Sequence, residues 1–490
     1  MKRVVIVGGG ITGLAAAHAL EKSEESCDVQ LLEAGARLGG NIITVNHAAF
    51  VIDGGPDSWV ATKPHATRLA KDVGLGDELI GTRPDTRKVF IVWQRRLHPM
   101  PEGLVLGIPT EWRPFAQSEL FGFDTKLRAL LEPLVPRKKL TGNDDESIAS
   151  FIGRRLGPDI ADRVAGPLLG GIFAGDAESL SVRACVPQLV EAEAKYGSLM
   201  VAMKALRDAR KEAGGAKGEA STFLSLKRGM GDLVTTVAHR LRASTDVATS
   251  RAATRLERLD HGDPRGRWAL ETDHGGTLFA DHVALTVPTH AAAKLVRGVD
   301  PKLAEMLGHV DYVSTATVFL AFRKYDVRHP LDGVGFLVPR SENRPVLACT
   351  FVSSKWEHRA PSGQVLLRVF IGGAGNQHLL QRDDAGLVHL AREQLLDLLG
   401  IERAPVFSKV FRFKGASPQP TVGHLARMDA IAARVRMHDG LYVGGNGYVG
   451  TGIPDAVKQG EEIAMRIAGA SMRTSMAPPP VDTKPAPLEE

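Results

Sequence analysis

The period of the apolar positions shifts repeatedly along the chain. Val4-Val5-Ile6-Val7 is a short β-branched run with polar flanks, the pattern of a strand buried on both faces of a parallel sheet. It runs into Gly8-Gly9-Gly10-Ile11-Thr12-Gly13, and Leu14 to Leu20, with alanine at 15, 16, 17 and 19, then reads as a helix packed tightly on that sheet. Val29-Gln30-Leu31-Leu32 is a second strand, ending in Glu33. Val51-Ile52-Asp53 is a strand that stops at Gly54-Gly55-Pro56-Asp57-Ser58, Pro64 to Leu79 reads as helix, and Val89 to Trp93 as strand. From about Gly103 to Gly218 the pattern is helical and irregular, without strands, one helix starting at Ser147. Strands return at Phe223 to Leu226, and Arg228-Gly229-Met230-Gly231 opens a helix to about Leu241. Trp268 to Thr272 and His282 to Val287 form an alternating strand pair. Alternating strands at Val313 to Phe322, Gly335 to Val338, Val346 to Phe351 and Val365 to Ile371 predict an antiparallel sheet, separate from the parallel one, that roofs a substrate cavity. Leu441-Tyr442-Val443 is a last strand, and Gly450-Thr451-Gly452-Ile453-Pro454-Asp455 opens a last helix with Pro454 in its first turn.

The first forty residues carry the chemistry. Gly8, Gly10 and Gly13 fall at G-x-G-x-x-G spacing: the first permits a tight turn, the second lets the backbone approach a pyrophosphate, the third lets helix and strand pack closely. The helix N-terminus then presents free N–H groups to phosphate. Glu33, about 20 residues past the last glycine, stands where a ribose hydroxyl needs an acceptor. A purely structural glycine turn is the competing reading; strand, helix, strand and acid arriving in order favour a dinucleotide. Cofactor contacts are therefore expected at Gly8, Gly9, Gly10, Ile11, Thr12, Gly13, Glu33 and Ala34. Arg37 would neutralise phosphate and Gly39-Gly40 leave room for an extended ligand. The turn Gly55, Pro56, Asp57, Ser58 would bring backbone N–H groups against a flat ring. Thr451, Gly452 and Ile453 would put a helix N-terminus at the ring's electron-rich edge, and Ala253 completes the set.

Composition narrows the rest. The chain has 490 residues, room for two or three domains, with 43% hydrophobic and 24% charged residues, ordinary for a soluble globular protein. A net charge of +5 suits acidic small molecules or anionic headgroups, although an arginine-rich composition alone produces it. No apolar stretch reaches a membrane span of about 18 residues, and Met1-Lys2-Arg3 leads directly into the first strand, so neither a spanning helix nor a signal peptide is expected. Cys27, Cys185 and Cys349 are isolated and the histidines lack ligand spacing; no metal site and no disulfide framework are expected, and the location is cytoplasmic. Nothing points to nucleic acid. The cations Arg87-Lys88 and Arg95-Arg96 read either as solvated strand ends or as carboxylate binders in a cleft. Gly166 to Asp176 reads either as a tight helix contact or as the wall of a slot for a flat apolar ligand. Gly214 to Gly218 reads as a flexible link, and the proline-rich stretch after Ala470 as a disordered tail.

Arg37 with Gly39-Gly40 behind the ribose acid resembles the FAD-binding, amine-oxidase-like superfamily more than the NAD dehydrogenases. Gly171-Ile172-Phe173-Ala174-Gly175-Asp176, Leu180-Ser181, Pro187, Gly55-Pro56-Asp57-Ser58, Pro418-Gln419, Gly423-His424 and Gly452-Ile453-Pro454-Asp455 resemble, over nearly the whole chain, the FAD-dependent protoporphyrinogen and coproporphyrinogen III oxidases. The run from Ala348-Cys349-Thr350-Phe351 through Lys355-Trp356, Leu366-Leu367-Arg368 and Gly373-Ala374-Gly375 is most similar to the coproporphyrin-forming branch. One departure is Pro418-Gln419-Pro420, where the family often has Pro-Gln-Tyr. The resemblance implies a tetrapyrrole substrate stripped of six hydrogens in three flavin-mediated steps, with O2 as acceptor. It also implies Arg87 or Lys88 as propionate binder and Ile172, Phe173 and Ala174 as slot wall. No protein side chain is expected to act catalytically, because the flavin carries the chemistry. A peripheral membrane contact and hand-over to a ferrochelatase accompany that reading. Protoporphyrinogen IX as substrate, another amine-oxidase-like activity and a flavin-binding scaffold remain as alternatives. The expected fold class is α/β, a discontinuous Rossmann-like FAD-binding domain (1–85, 221–297, 421–470) with an antiparallel-sheet substrate domain (86–102, 298–420), a helical insertion (103–220) and a tail (471–490).

Overall fold

The computed structural model describes residues 1–86, 88–138, 142–213, 221–241 and 245–469. Arg87, the Gly214 to Gly218 link and the tail after Ala470 lie outside the described residues. Strand β1 (Lys2–Val7) is the middle of a five-stranded parallel sheet. On one side lie β2 (Cys27–Leu32) and then Asp246–Ala248; on the other lie His282–Leu285 and Leu441–Val443. The β-branched residues of β1 are buried on both faces, as a central parallel strand requires. Helix α1 (Ile11–Glu21) follows and is buried nearly all round, pressed against the sheet, Gly231–Leu241 and the last helix, Ile453–Ala468. Its alanines let these elements approach. Where α1 crosses the last helix, a Cβ on Gly460 would collide with the Thr12 carbonyl oxygen and meet the Ala16 nitrogen at 2.9 Å.

A three-stranded antiparallel meander, Ala253–Arg258, Trp268–Thr272 and Thr277–Ala280, stands beside this sheet. This corrects the expected pairing of Trp268 to Thr272 with His282 to Val287, which joins the parallel sheet instead. Alternation reported each strand correctly, but register partners are set by topology, not by period.

The other large sheet has seven strands in the order Phe407–Pro418, Tyr312–Arg323, Gln364–Gly372, Val346–Phe351, Gly333–Leu337, Lys88–Trp93 and Arg96–Pro99. It is antiparallel except for one pair: Lys88–Trp93 runs parallel to Gly333–Leu337, because it enters from the early part of the chain as half of a hairpin with Arg96–Pro99. Gln94 and Arg95 turn that hairpin with φ of +48° and +64°, the left-handed pair that matches strand twist. The helical region is likewise not strand-free, since Leu104–Val105 and Ile108–Pro109 form a small ribbon. Ser147 caps its helix Ile148–Leu156 through the Ser150 N–H at 3.1 Å. The segment Ala161–Gly170 is a π-helical stretch containing Pro167, and it ends in the short helix Gly171–Phe173.

Candidate functional site

The glycine turn between β1 and α1 is crowded on one side and open on the other. A Cβ on Gly13 would collide with the Gly8 carbonyl oxygen, and one on Gly8, whose φ is +112°, would meet the Thr286 carbonyl oxygen at 2.8 Å. A Cβ on Gly10 would meet nothing within 4 Å. Gly10 is also the cap residue of α1 and no side chain caps the helix, so its first N–H groups face that open space. Ile11 and Thr12 bury their side chains, leaving only backbone for a ligand.

Glu33, at the end of β2, accepts the Gly9 N–H on one carboxylate oxygen (2.8 Å) and the Gly35 N–H on the other (2.7 Å). It thereby ties the acid loop to the glycine turn, and Ala34 is exposed beside it. Ser250 and Arg251 donate their backbone N–H groups to the carbonyls of Gly35 and Glu33, both at 2.9 Å, which brings the start of the meander and half-buried Ala253 near the acid. Arg37 departs from expectation. Its guanidinium donates to the carbonyls of Leu38 (3.2 Å), Gly40 (2.5 Å) and Ile42 (3.1 Å), so it braces its own loop instead of standing free to meet phosphate. Gly39, with φ +99°, donates to the Gly9 carbonyl at 2.8 Å, and Gly40 passes beside Gly10.

The strand Phe50–Asp53 delivers a second glycine turn. A Cβ on Gly55 would collide with the Asn41 carbonyl oxygen, so Gly54-Gly55 lies flat against the loop that Arg37 holds. Asp53 is buried beneath it, accepting Thr44 Oγ1 (2.5 Å) and the Met230 N–H (2.8 Å) and pairing with Arg359 at 3.2 Å. Burial pushes its carboxyl above the usual range despite Arg359. The Asp57 carboxylate accepts Lys355 Nζ (2.9 Å), Trp356 Nε1 (3.0 Å) and Ser58 Oγ (2.9 Å). Burial opposes its ionisation, but Lys355 and Arg368 outweigh it and hold the group below the carboxylate range. The Asp57 and Ser58 side chains are thus occupied within the protein; what that turn presents outward is backbone.

At the end of the chain, Gly452 has φ +97° and caps Ile453–Ala468 with backbone alone. Asp455 in the first turn accepts the Thr451 N–H at 2.9 Å and pairs with Lys63 at 2.6 Å, closing the turn on itself. The Ile453 side chain packs in the core of the parallel sheet.

Against Gly55 and Pro56 opens a cavity of about 440 Å³. Its walls come from the helical insertion (Pro167, Leu168, Ile172, Ala174) and from the inner face of the large sheet (Leu347, Ala348, Phe370). The slot reading of Gly166 to Asp176 fits this placement. Ile172 is 65% exposed, and Ala174 holds φ +49° so that its carbonyl can accept the Ala374 N–H at 2.9 Å. Phe173 is a correction: its ring is buried in the core of the insertion and does not line the cavity, although its carbonyl is held by Gln419 Nε2 at 2.9 Å. Lys88 is another. Its side chain is 59% exposed and paired with Asp332 at 2.6 Å, because the first residue of an exposed strand end points to water. The charged residue that does line the cavity is Arg368, which the sequence marks only as part of the run Leu366-Leu367-Arg368; a cation inside a strand carries no signal of which face it occupies. A larger hollow of about 770 Å³ lies between segments 324–332 and 353–365, sharing Trp356 and Arg359 with the supports of the Asp53 to Asp57 turn but lined by none of its glycines, and several of its charges pair locally, as Arg83 does with Asp85.

A family model for flavin containing amine oxidoreductases matches residues 11–468. The coproporphyrinogen III oxidase of Bacillus subtilis (strain 168) is 34% identical over 465 residues, 94% of this chain and 96% of the relative. The chain belongs to the flavin-containing amine oxidoreductase family. Within it, a chloroplastic protoporphyrinogen oxidase of Oryza sativa subsp. japonica is 30% identical, covering 95% of this chain and 88% of its own. A crystal structure from Exiguobacterium sp. 255-15, of a protein assigned to protoporphyrinogen oxidase, superimposes with a TM-score of 0.84 at 33% identity, over 96% of this chain and 99% of the other.

Membership makes the protein an FAD-dependent oxidoreductase, and the geometry fits the cofactor. A flavin amine oxidoreductase needs a phosphate cradle, and the open space over Gly10 at an uncapped helix end has the room and the backbone donors for one. It needs a flat backbone surface for the ring, and Gly54-Gly55 under the cavity is one, buried where side chains would clash with Phe411 and Asn41. Among the described residues, no cluster of histidine, cysteine, aspartate or glutamate has the arrangement of a metal site.

Proposed function

We propose that the protein oxidises coproporphyrinogen III to coproporphyrin III, six electrons passing through FAD to three O2 with release of three H2O2. FAD, when bound, supplies the hydride-accepting chemistry. The observation that carries the reading is the apolar cavity set directly on the Gly55-Pro56 turn, between sheet and insertion. In it Ile172, Leu168 and Ala348 exclude water and hold the flexible porphyrinogen macrocycle toward that turn. The first-turn N–H groups of α1, with Gly8 to Gly13, hold the pyrophosphate, and Glu33 accepts from the ribose while it fixes the loop. The Thr451-Gly452-Ile453 backbone borders the ring's polar edge. The segments 1–85, 221–297 and 421–470 make up the cofactor unit, and 86–102 with 298–420 the substrate unit.

Relatives named for both porphyrinogens accompany this chain, so the test compares the two substrates. The purified protein is assayed in air for the appearance of porphyrin fluorescence from each porphyrinogen, after its flavin spectrum has been recorded. Faster formation of coproporphyrin, with peroxide, is the expected result; faster protoporphyrin would move the protein to the other substrate, and flavin without either product would end the reading.

Among the described residues no helix is long and apolar enough to cross a membrane. The helix Phe123–Leu130 and the turn after it do expose an apolar stripe, Phe123, Leu127, Leu130, Leu131 and Leu134, with Thr125 and Ala129 turned inward. That stripe supports a cytoplasmic enzyme resting peripherally on a membrane, from which its porphyrin could pass to a ferrochelatase.

A further inference from the structure

Arg368 lies in the strand Gln364–Gly372, 6% exposed, with its side chain lining the cavity. Both of its hydrogen bonds leave from Nη2, to the carbonyl oxygens of Gly54 (3.2 Å) and Gly55 (2.7 Å), which are neutral acceptors. Nε has no partner among the described residues. The guanidinium sits over the Phe370 ring at 4.4 Å, with Phe319 at 5.5 Å. The nearest carboxylates are already matched: Asp57 to Lys355 at 2.9 Å and Asp53 to Arg359 at 3.2 Å. In this group, with Arg359, Arg368 and Asp53 buried and Lys355 and Asp57 half-buried, three cations face two carboxylates. One positive charge is left over, and protonating Asp53 would only enlarge the surplus. A buried cation is costly unless an anion reaches it. Arg368 is the one charged residue among those lining the cavity, so the cavity is the side from which that anion can come.

We propose that Arg368 is a specificity-determining residue, receiving one carboxylate of the substrate and making the cavity prefer a tetracarboxylate porphyrinogen to a dicarboxylate one. The inference rests on the porphyrinogen reading above and deepens it. Coproporphyrinogen III carries four propionates; protoporphyrinogen IX keeps two and has vinyl groups in place of the others. A vinyl set against the guanidinium leaves it unpaired, and a site built for a polar partner rejects the analogue that lacks it steeply. Nη2 is committed to the Gly54 and Gly55 carbonyls, so the donor left for a carboxylate is Nη1, which has no partner among the described residues; a lysine ammonium cannot brace the turn and reach the cavity from two separate nitrogens in this way.

The test uses the FAD-loaded protein and the variants Arg368→Met, Arg368→Lys and Arg368→Gln, each checked for flavin content first. For Arg368→Met, KM for coproporphyrinogen III should rise on the order of tenfold to a hundredfold, the loss of one charge-assisted hydrogen bond. KM for protoporphyrinogen IX should not rise by more than about threefold and should fall where the unpaired guanidinium had opposed the vinyl group, and for coproporphyrinogen III Arg368→Lys should lie between the parent and Arg368→Met. Binding of coproporphyrin III and protoporphyrin IX to the same holoproteins, read by fluorescence quenching, should show the same divergence without turnover. If the methionine variant loses flavin, Arg368→Gln, which keeps an N–H for the Gly55 carbonyl, carries the comparison. Equal losses with both porphyrins in flavin-loaded variants would overturn the proposal and leave Arg368 a brace for the Gly54-Gly55 turn. If the unaltered protein turns over neither porphyrinogen, the substrate reading fails. Porphyrin binding then still decides the cation's role: a preference of the parent for the tetracarboxylate that Arg368→Met abolishes supports it, and no preference overturns it.

Discussion

Gly10 and Gly13 sit three positions apart in one turn, yet a methyl group would do different things at each. At Gly13 it would strike the Gly8 carbonyl oxygen and meet Thr286 Oγ1 at 2.8 Å, forcing helix from strand. Gly13→Ala should therefore lower stability by about 1–3 kcal/mol, as overpacking does, and lose flavin with it. At Gly10 the methyl would point into open space, where the proposed function puts the phosphate. Gly10→Ala should leave the melting temperature close to the parent's and cut the flavin-to-protein absorbance ratio of dialysed protein at least severalfold, since backbone approach is what glycine supplies there. Full flavin retention by Gly10→Ala would remove the phosphate from that space. The close packing at Gly13 was legible in the sequence because a glycine's steric role is local: strand, turn and helix fix how near its neighbours come. Arg37 and Arg368 were not legible. A long cation finds its partners through tertiary structure, so Arg37 turned back on three carbonyls of its own loop while Arg368, read only as part of a motif, emerged as the charge inside the cavity.

Between elements, Asp300 joins two helices. It caps Pro301–Gly308 by accepting the Leu303 N–H at 3.0 Å, and it accepts Arg434 Nε at 2.8 Å and pairs with His438 at 2.7 Å, just past the helix His424–Val435. Burial opposes its ionisation, but the hydrogen bonds from His438, the Leu303 N–H and Arg434 outweigh it and push the carboxyl down to about 2. A folded-state pKa below the unfolded value of 3.8 means stabilisation that is complete above that value and disappears as pH falls through the folded one. The shift corresponds to about 2 kcal/mol. Asp300→Asn keeps a capping oxygen and removes the charge, so it should cost about that much at pH 5. Its deficit against the parent in urea unfolding should shrink by pH 3; a deficit unchanged between the two would assign the effect to packing. Such links are invisible to periodicity for the reason that hid the parallel pair Lys88–Trp93 and Gly333–Leu337. Period tells which residues share a face, and it found most strands of the large sheet, but not which element that face will meet. The Gly460 crossing, where the last helix touches α1, is the same kind of contact.

At the scale of the whole molecule, a nucleotide-type sheet, a seven-stranded sheet and a helical insertion converge on one cavity. The insertion also turns an apolar stripe outward. If Phe123, Leu127 and Leu134 meet lipid, the protein should float with vesicles of mixed neutral and anionic lipid, and replacing the three by serine should abolish flotation without altering flavin content or Tm by more than a degree or so, because these side chains are exposed. Division of labour across the cavity can be tested apart from lipid. Ala348 lies on the sheet wall, paired with Leu337 and Phe370, and belongs to none of the elements that form the glycine turns. A tryptophan there would project into a cavity of about 440 Å³ and take up the room of much of a macrocycle. Ala348→Trp should thus keep its flavin spectrum and its α1 cradle while kcat/KM for coproporphyrinogen III falls by at least about tenfold, since the slot and not the cofactor is obstructed. Retention of normal turnover by a flavin-loaded Ala348→Trp would mean that the macrocycle binds elsewhere, with the hollow between segments 324–332 and 353–365 the next place to look.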